Sequence, residues 1–510
     1  MKKIDKHSFV LYSFLFLVGI ISRLPFLEKA QSHWDGPDYT IGILHYSFIE
    51  QTPSPPGYPL YISFGKFFHM FFSDPHLSIL MVSVLFAGVG AVVFYLAGKL
   101  FFNKSVGLIS SCIFLSAPTI FYFGITANPY GILSTTALLV ALVVFLIIKK
   151  KKDYGFLLAL VFSFAIGIRP QDSLFLTPLY LLGCYYLTSY ERFISVVSLI
   201  FLTLFWFLPT AHAVGGVSQY FSYVISFAKN DSAPNLSIHR VTEIMPIIIK
   251  GLYLTCGFAA FFLLAVLKYT NNLLSLKKLF TKISKPYILV FIFWIFPSLL
   301  FNIFVRSDHA AHQMAYLSAF IVLSSYFLYK LFGSKSFLVV LILIVVNLAT
   351  FFRVRDTNLV GSYVSQSFHY SEIVKNNLRM KNLELYVLKN FNTTDTILIT
   401  DPEIFRATSY YLKNYGVYSF GALDTNDSKN TSIVHYSKYW HYAKLSNKTH
   451  IFSLPIGINN IVVYNNNRPI TIKMKNVEKR ELVGNQMVYL IKVGKSEKLI
   501  LSKGLISPYD

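Results

Sequence analysis

Trp34-Asp35-Gly36-Pro37-Asp38-Tyr39 follows closely on the first membrane-length apolar run of the chain, and Ser54-Pro55-Pro56-Gly57-Tyr58-Pro59-Leu60-Tyr61 comes soon after it. Two carboxylates beside a bilayer surface, followed by a stiff Pro-Pro-Gly turn, are poor material for a plain membrane anchor. They predict a loop with chemistry to do, held between membrane helices.

Composition supports the membrane setting. Hydrophobic residues make up 54% of the 510-residue chain and charged ones 14%; mean hydropathy is +0.52. A soluble domain is about a quarter charged, so a polytopic membrane protein is predicted. The net charge of +22 does not point to nucleic acid, because the lysines gather at the ends of apolar runs, where they act as topology signals and attract anionic lipid. Cys112, Cys184 and Cys256 all lie in apolar runs, so neither a disulfide framework nor a cysteine metal site is expected. The first run is too long for a cleaved signal peptide and reads as a retained helix.

A spanning helix needs roughly 20 apolar residues. Candidate spans cover 8–27, 77–99, 105–124, 131–149, 154–169, 172–188, 193–211, 243–267, 286–305, 313–331 and 336–352, about eleven transmembrane helices. The 154–188 stretch reads either as two short helices parted by Arg169-Pro170-Gln171-Asp172 or as one broken hairpin. Lys2, Lys3 and Lys6, then Lys99 and Lys104, Lys149 to Lys152, Lys268 to Lys285, and Lys330 and Lys335 all fall on one side if the N-terminus is cytoplasmic. The first loop, 28–75, and the C-terminal part then lie outside the cytoplasm. Tyr39–Ile49 and Tyr58–Phe72 are patterned as amphipathic helices on the bilayer surface, with a packed surface loop as the plain alternative. The transmembrane domain is predicted to occupy 1–352. Residues 353–510 read as an extracytoplasmic α/β domain with strands at Thr396–Thr400, Val417–Phe420, Asn459–Tyr464 and Met487–Val493 and a helix at Glu403–Asn414.

Asp35 and Asp38 are the candidate catalytic acids. Either could simply cap the helix that runs on from Tyr39. Asp35, ahead of Gly-Pro, is the better placed to act as a general base. Arg23, Arg169, Arg306, His309 and His312 sit at or near the outer ends of spans. Charges there are costly and have either a partner or a task; the plain alternative is snorkelling to the interface. A lipid phosphate suits a guanidinium fork. His309 and His312 could share a helix face, but no third metal ligand stands nearby, and the outer loops before the C-terminal domain have no Asp-x-Asp. Asn128 in Thr126-Ala127-Asn128-Pro129-Tyr130 is either a site residue or a plain Asn-Pro turn. The chain has no Walker loop, no His-Glu-x-x-His and no Gly-x-Ser-x-Gly.

These motifs resemble those of the GT-C superfamily of polytopic glycosyltransferases, in particular its protein O-mannosyltransferase and aminoarabinose-transferase-like families. Asp35-Gly36-Pro37-Asp38-Tyr39 stands where those families carry an acidic first-loop motif. Pro55-Pro56-Gly57-Tyr58-Pro59-Leu60-Tyr61 is similar to one branch, as is Gly167-Ile168-Arg169-Pro170. The resemblance covers about 1–350. It implies inverting transfer of a sugar, mannose among the candidates, from a polyprenyl-phosphate donor to a hydroxyl of a protein, glycan or lipid acceptor on the outer face of a cell membrane. Asp35 would be the general base. Arg169, Arg306, His309, His312, Tyr58, Tyr61 and Asn128 would bind substrate or the lipid phosphate. No cofactor or obligatory metal and no nucleic-acid partner is expected; membrane lipids are. Ser54 departs from the Lys or His common before Pro-Pro, and Asn128 stands near a second acid of many members. A non-catalytic assembly subunit and a lipid or solute transporter are the competing readings, though no internal repeat of the transporter kind is present.

Overall fold

The computed structural model describes residues 6–31, 35–150, 154–231, 238–259, 285–305, 313–353, 368–400, 404–420, 432–436, 442–446, 451–454, 456–464, 471–472, 477–482, 486–493, 498–502 and 505–508. By contacts the chain forms two compact units. One joins Met1–Leu27 to Pro55–Glu372; the other joins Glu28–Ser54 to Ile373–Asp510. Most of the first loop thus groups with the C-terminal part, where the sequence had assigned all of 28–75 to the transmembrane domain.

The first unit is helical. Its described helices are α1 (Lys6–Ile21), α3 (Pro59–His69), α4 (Pro75–Phe101), α5 (Lys104–Ser116), α6 (Pro118–Phe123), α7 (Tyr130–Lys150), α8 (Gly155–Ile168), α9 (Ser173–Tyr186), α10 (Ser189–Ala213), α11 (Val217–Asp231), α12 (Ile238–Cys256), α13 (Lys285–Phe304), α14 (Met314–Phe332) and α15 (Ser336–Arg353). Polar caps set several starts. Asp74 accepts from the His76 amide at 2.9 Å ahead of α4, and Asn103 from the Val106 amide at 3.0 Å ahead of α5. The expected span 105–124 is broken, because Pro118 cannot continue the hydrogen-bond ladder and opens α6 instead. The 154–188 stretch is two short helices, α8 and α9, joined by a 3₁₀ turn at Pro170–Asp172.

Among the described residues six helical stretches are long and apolar enough to cross a membrane: Lys6–Phe26, Pro75–Phe101, Tyr130–Lys149, Ser189–Ala213, Tyr287–Phe304 and Met314–Arg353. Part of the predicted span 243–267 lies outside the described residues. Within Pro75–Phe101 and Tyr130–Lys149, 72% and 78% of the apolar window is buried, against 17% for Lys6–Phe26 and Ser189–Ala213. So α4 and α7 are the centre of the bundle, and α1 and α10 turn their apolar side chains outward. Phe193, Phe201, Phe205 and Leu208 on α10 are all exposed, as are Leu338, Leu341 and Val345 on α15. Exposed apolar area on this scale is unfavourable in water and suited to lipid. Paired glycines bring helices close: a Cβ on Gly19 would lie 2.6 Å from the Ala87 carbonyl oxygen, and one on Gly98 would lie 2.7 Å from the Gly107 Cα.

The second unit contains α2 (Gly36–Leu44), α17 (Phe405–Tyr411) and, from Ile373 on, α16 (Tyr370–Asn390). Ile373, Met380, Leu383 and Val387 form the buried stripe of α16. The strands are β1 (Thr396–Thr400), β2 (Gly416–Phe420), β3 (Ser432–Tyr436), β4 (Tyr442–Ser446), β5 (Ile451–Ser453), β6 (Asn460–Tyr464), β7 (Thr471–Ile472), β8 (Val477–Leu482), β9 (Gln486–Lys492), β10 (Lys498–Ser502) and β11 (Leu505–Pro508). They form a seven-stranded sheet of order β4-β3-β2-β1-β6-β9-β8 and a four-stranded sheet of order β5-β10-β11-β7. β1 runs parallel to both β2 and β6. It is buried along its whole length, as its unbroken Ile-Leu-Ile centre requires. Leu398, Val417 and Val462 pack with Phe405 of α17, Leu412 just after it, and Met380 and Leu383 of α16. Ile397, Ile399, Ile461 and Val463 share a second core.

Candidate active site

In the second unit α2 is the element that matters. It opens at Gly36-Pro37, where the proline costs no helical hydrogen bond. Gly36 through Ile43 are all buried, so α2 is a covered helix and not one with a face left open to a bilayer surface. Asp35 occupies the capping position and its side chain makes no capping hydrogen bond. It is half-buried. Asp38 lies in the first turn, not at the cap, and is 1% exposed. Its Oδ2 is ion-paired with Nη1 of Arg406, in the first turn of α17. Nη2 of the same guanidinium donates to Gln51 Oε1 at 2.6 Å. The alternative of a capping Asp38 is therefore replaced by a buried ion pair.

In the first unit the Pro-Pro-Gly-Tyr turn has positive φ at two successive residues, Gly57 (103°) and Tyr58 (51°). Left-handed backbone costs an ordinary residue about 1–2 kcal/mol. Here the buried Tyr58 side chain and the Pro59 that starts α3 hold it in place. Tyr61, one turn into α3, is fully buried. The Pro56 carbonyl accepts from the Tyr220 hydroxyl of α11 at 3.0 Å. Burial pushes the Tyr220 phenol up to about 12, so it stays a donor.

The same turn meets the second motif. A Cβ on Gly167 would lie 2.5 Å from Leu60 Cδ1 and 3.1 Å from Trp206 Nε1. Only a glycine lets α8 come this close to α3. Two residues on, Arg169 ends α8 with extended backbone. Its Nη1 donates to Asp172 Oδ1 at 3.2 Å, and its guanidinium carbon lies 5.8 Å from the Tyr130 ring centre. Asn128 is 0% exposed. Its Oδ1 accepts from the Tyr130 amide at 3.1 Å and its Nδ2 donates to Thr126 Oγ1 at 2.6 Å. Its side chain is spent on shaping the turn that starts α7. Arg23 does not snorkel: it is 0% exposed, its Nη2 donates to the Leu115 carbonyl at 2.8 Å, and its guanidinium lies 3.8 Å over Phe121. Arg306, His309 and His312 lie outside the described residues.

Residues 54–213 match the profile of the dolichyl-phosphate-mannose-protein mannosyltransferase family. That stretch begins at the Pro-Pro-Gly-Tyr turn, includes Asn128 and Arg169, ends with α10, and leaves out Asp35 and Asp38. The chain is also similar in structure to ArnT from Cupriavidus metallidurans bound to undecaprenyl phosphate: TM-score 0.53 and 13% identity, covering 82% of this chain and 87% of that one. A second similar structure is the oligosaccharyltransferase AglB from Archaeoglobus fulgidus in complex with an inhibitory peptide and a dolichol-phosphate, with TM-score 0.44, 9% identity, and coverage of 86% and 74%. No curated protein matches the chain. The fold is thus similar to that of ArnT, with six helical stretches among the described residues long and apolar enough to cross a membrane and two sheets in the C-terminal part. Sequence reading missed Arg406, Asp172 and Tyr220. Only Asp172 had a local signal, an acid three residues from Arg169.

Proposed function

We propose that the protein is a membrane glycosyltransferase that takes a sugar from a polyprenyl phosphate and passes it, with inversion, to an acceptor hydroxyl on the outer face. The observation that carries this reading is the packing of Leu60 on Gly167 beside Arg169. Two separate motifs meet there, inside the stretch that matches a lipid-phosphate-sugar transferase family.

In this reading Asp35 takes the proton of the acceptor hydroxyl. The freed oxygen attacks C1 of the sugar from the face opposite the phosphate. The C1–O bond to the phosphate breaks, and the lipid phosphate leaves with the electron pair. Arg169 stabilises that growing charge, with Arg306, His309 and His312 as further cations for it. A donor that carries its own leaving group needs neither a nucleotide nor a metal ion. The N-terminus is cytoplasmic and the sheet domain lies outside.

Undecaprenyl phosphate is the direct probe. Wild type and Asp35→Asn are expected to bind it equally. Arg169→Lys and Arg169→Met, checked for unchanged melting, are expected to bind it about 10-fold or more weakly, the scale of one charge-assisted hydrogen bond. Absence of binding by folded wild type contradicts the proposal.

A further inference from the structure

We infer that Arg406 is a positioning residue for Asp35: its guanidinium fork holds two separate points of the 28–54 loop against α17 and so fixes the helix that carries the base. The inference rests on the transferase reading for the role of Asp35. The clamp itself is read from the geometry of the second unit alone.

The loop enters this unit through backbone ties. The Lys29 and Ala30 amides donate to Asn377 Oδ1 at 3.0 and 2.8 Å, the Gln31 amide to the Tyr411 hydroxyl at 3.0 Å, and Asn376 Nδ2 to the Gln31 carbonyl at 2.9 Å. These fix residues 29–31, and Gln31 Nε2 donates on to Thr40 Oγ1 of α2 at 2.8 Å; none of them reaches the end of the loop. Beyond them the chain makes α2, then a tight turn in which Ser47 and Thr52 pair as an isolated bridge and Gln51 takes a left-handed φ of 57°. Arg406 reaches both of these later features. Nη1 takes Asp38 in the first turn of α2, and Nη2 takes Gln51 at the strained turn. One rigid planar group therefore sets the spacing between the start of α2 and the end of the loop.

The chemistry suits arginine alone. The fork presents donors in fixed directions to two acceptors at once; an ammonium is a point charge and does not reproduce that geometry. Burial makes the pair demanding. Asp38 is 1% and Arg406 8% exposed, so loss of either charge strands the other away from water. The Asp38 and Tyr39 amides donate to the Asp35 carbonyl at 3.1 and 3.2 Å. Any shift of Asp38 is thus passed to Asp35 through the first turn of α2.

The test uses full-length protein in native membranes with undecaprenyl-phosphate mannose as donor, reading released undecaprenyl phosphate, together with amide exchange across 36–44. Arg406→Lys and Gln51→Leu are each expected to lower kcat about 10- to 100-fold, as a misplaced catalytic group does, with donor KM unchanged and melting lowered by no more than the loss of one hydrogen bond. The double variant is expected to be no worse than the worse single, because both remove one contact. Exchange in α2 is expected to quicken in all three. Arg406→Met should lose more and serves as the limit. Wild-type kcat with wild-type exchange in Arg406→Lys and Gln51→Leu overturns the inference, as do additive losses in the double. Wild type that never releases undecaprenyl phosphate overturns the transferase reading instead, and the exchange data then decide the clamp by themselves.

Discussion

Asp35 and Asp38 are three residues apart and have different work. Asp35→Asn keeps the volume and removes the proton acceptor. A rate loss of about 10²–10⁴-fold is expected, the scale of a positioned general base, with donor binding unchanged; steady-state rates beside a binding isotherm check it. Asp38→Asn acts on stability. It leaves the Arg406 charge buried without its counter-ion, and breaking such a pair costs about 3–5 kcal/mol. Thermal melting should fall well beyond the ~1 kcal/mol scale of a lost helix cap. Tyr220→Phe offers a cleaner deletion: it removes one donor from the buried Pro56 carbonyl at an expected cost of about 1–3 kcal/mol, again read by melting.

At the scale of elements, Gly167 is where α8 admits α3. Gly167→Ala places a methyl 2.5 Å from Leu60 Cδ1 and is expected to cost about 1–3 kcal/mol by overpacking. Leu60→Ala in the same protein should return part of that loss. A double-mutant cycle on melting measures it, and strictly additive costs would show that the two side chains do not share a site. Local elements were the legible part of the sequence. Turn chemistry at Arg169-Pro170 marked the α8–α9 break. Short runs rich in β-branched and aromatic residues marked β1, β2, β6 and β9 to within a residue or two. Pro118 breaks a stretch whose hydropathy runs on unbroken, so the break does not show in hydropathy. The long helix α16 was not foreseen, because its apolar stripe is diluted by Lys, Asn and Glu on the outer faces. The grouping of loop 28–54 with the C-terminal part was not legible either. The Arg406–Gln51 bond closes a sequence gap of 355 residues, and periodicity within a helix says nothing about which distant helix its polar residue will meet. Nor did the pattern separate Asn128 as a turn former from Asn128 as a ligand, since both need the same amide before a proline.

For the whole molecule, lysine placement predicts orientation. Ile456, wholly exposed in the sheet domain, gives a clean reporter. In a background without Cys112, Cys184 and Cys256, Ile456→Cys should react with an impermeant maleimide in intact cells. Labelling only after permeabilisation reverses the topology and moves the proposed chemistry to the other face. The most direct measurement is donor choice by the purified, reconstituted protein. Undecaprenyl-phosphate mannose and a nucleotide-linked mannose are offered separately, with acceptor-bearing membranes, and sugar transfer is followed in wild type and Asp35→Asn. The expected result is transfer from the lipid-linked sugar alone, abolished by Asp35→Asn. Transfer from the nucleotide sugar in the absence of any lipid carrier, or undiminished transfer by Asp35→Asn, contradicts it.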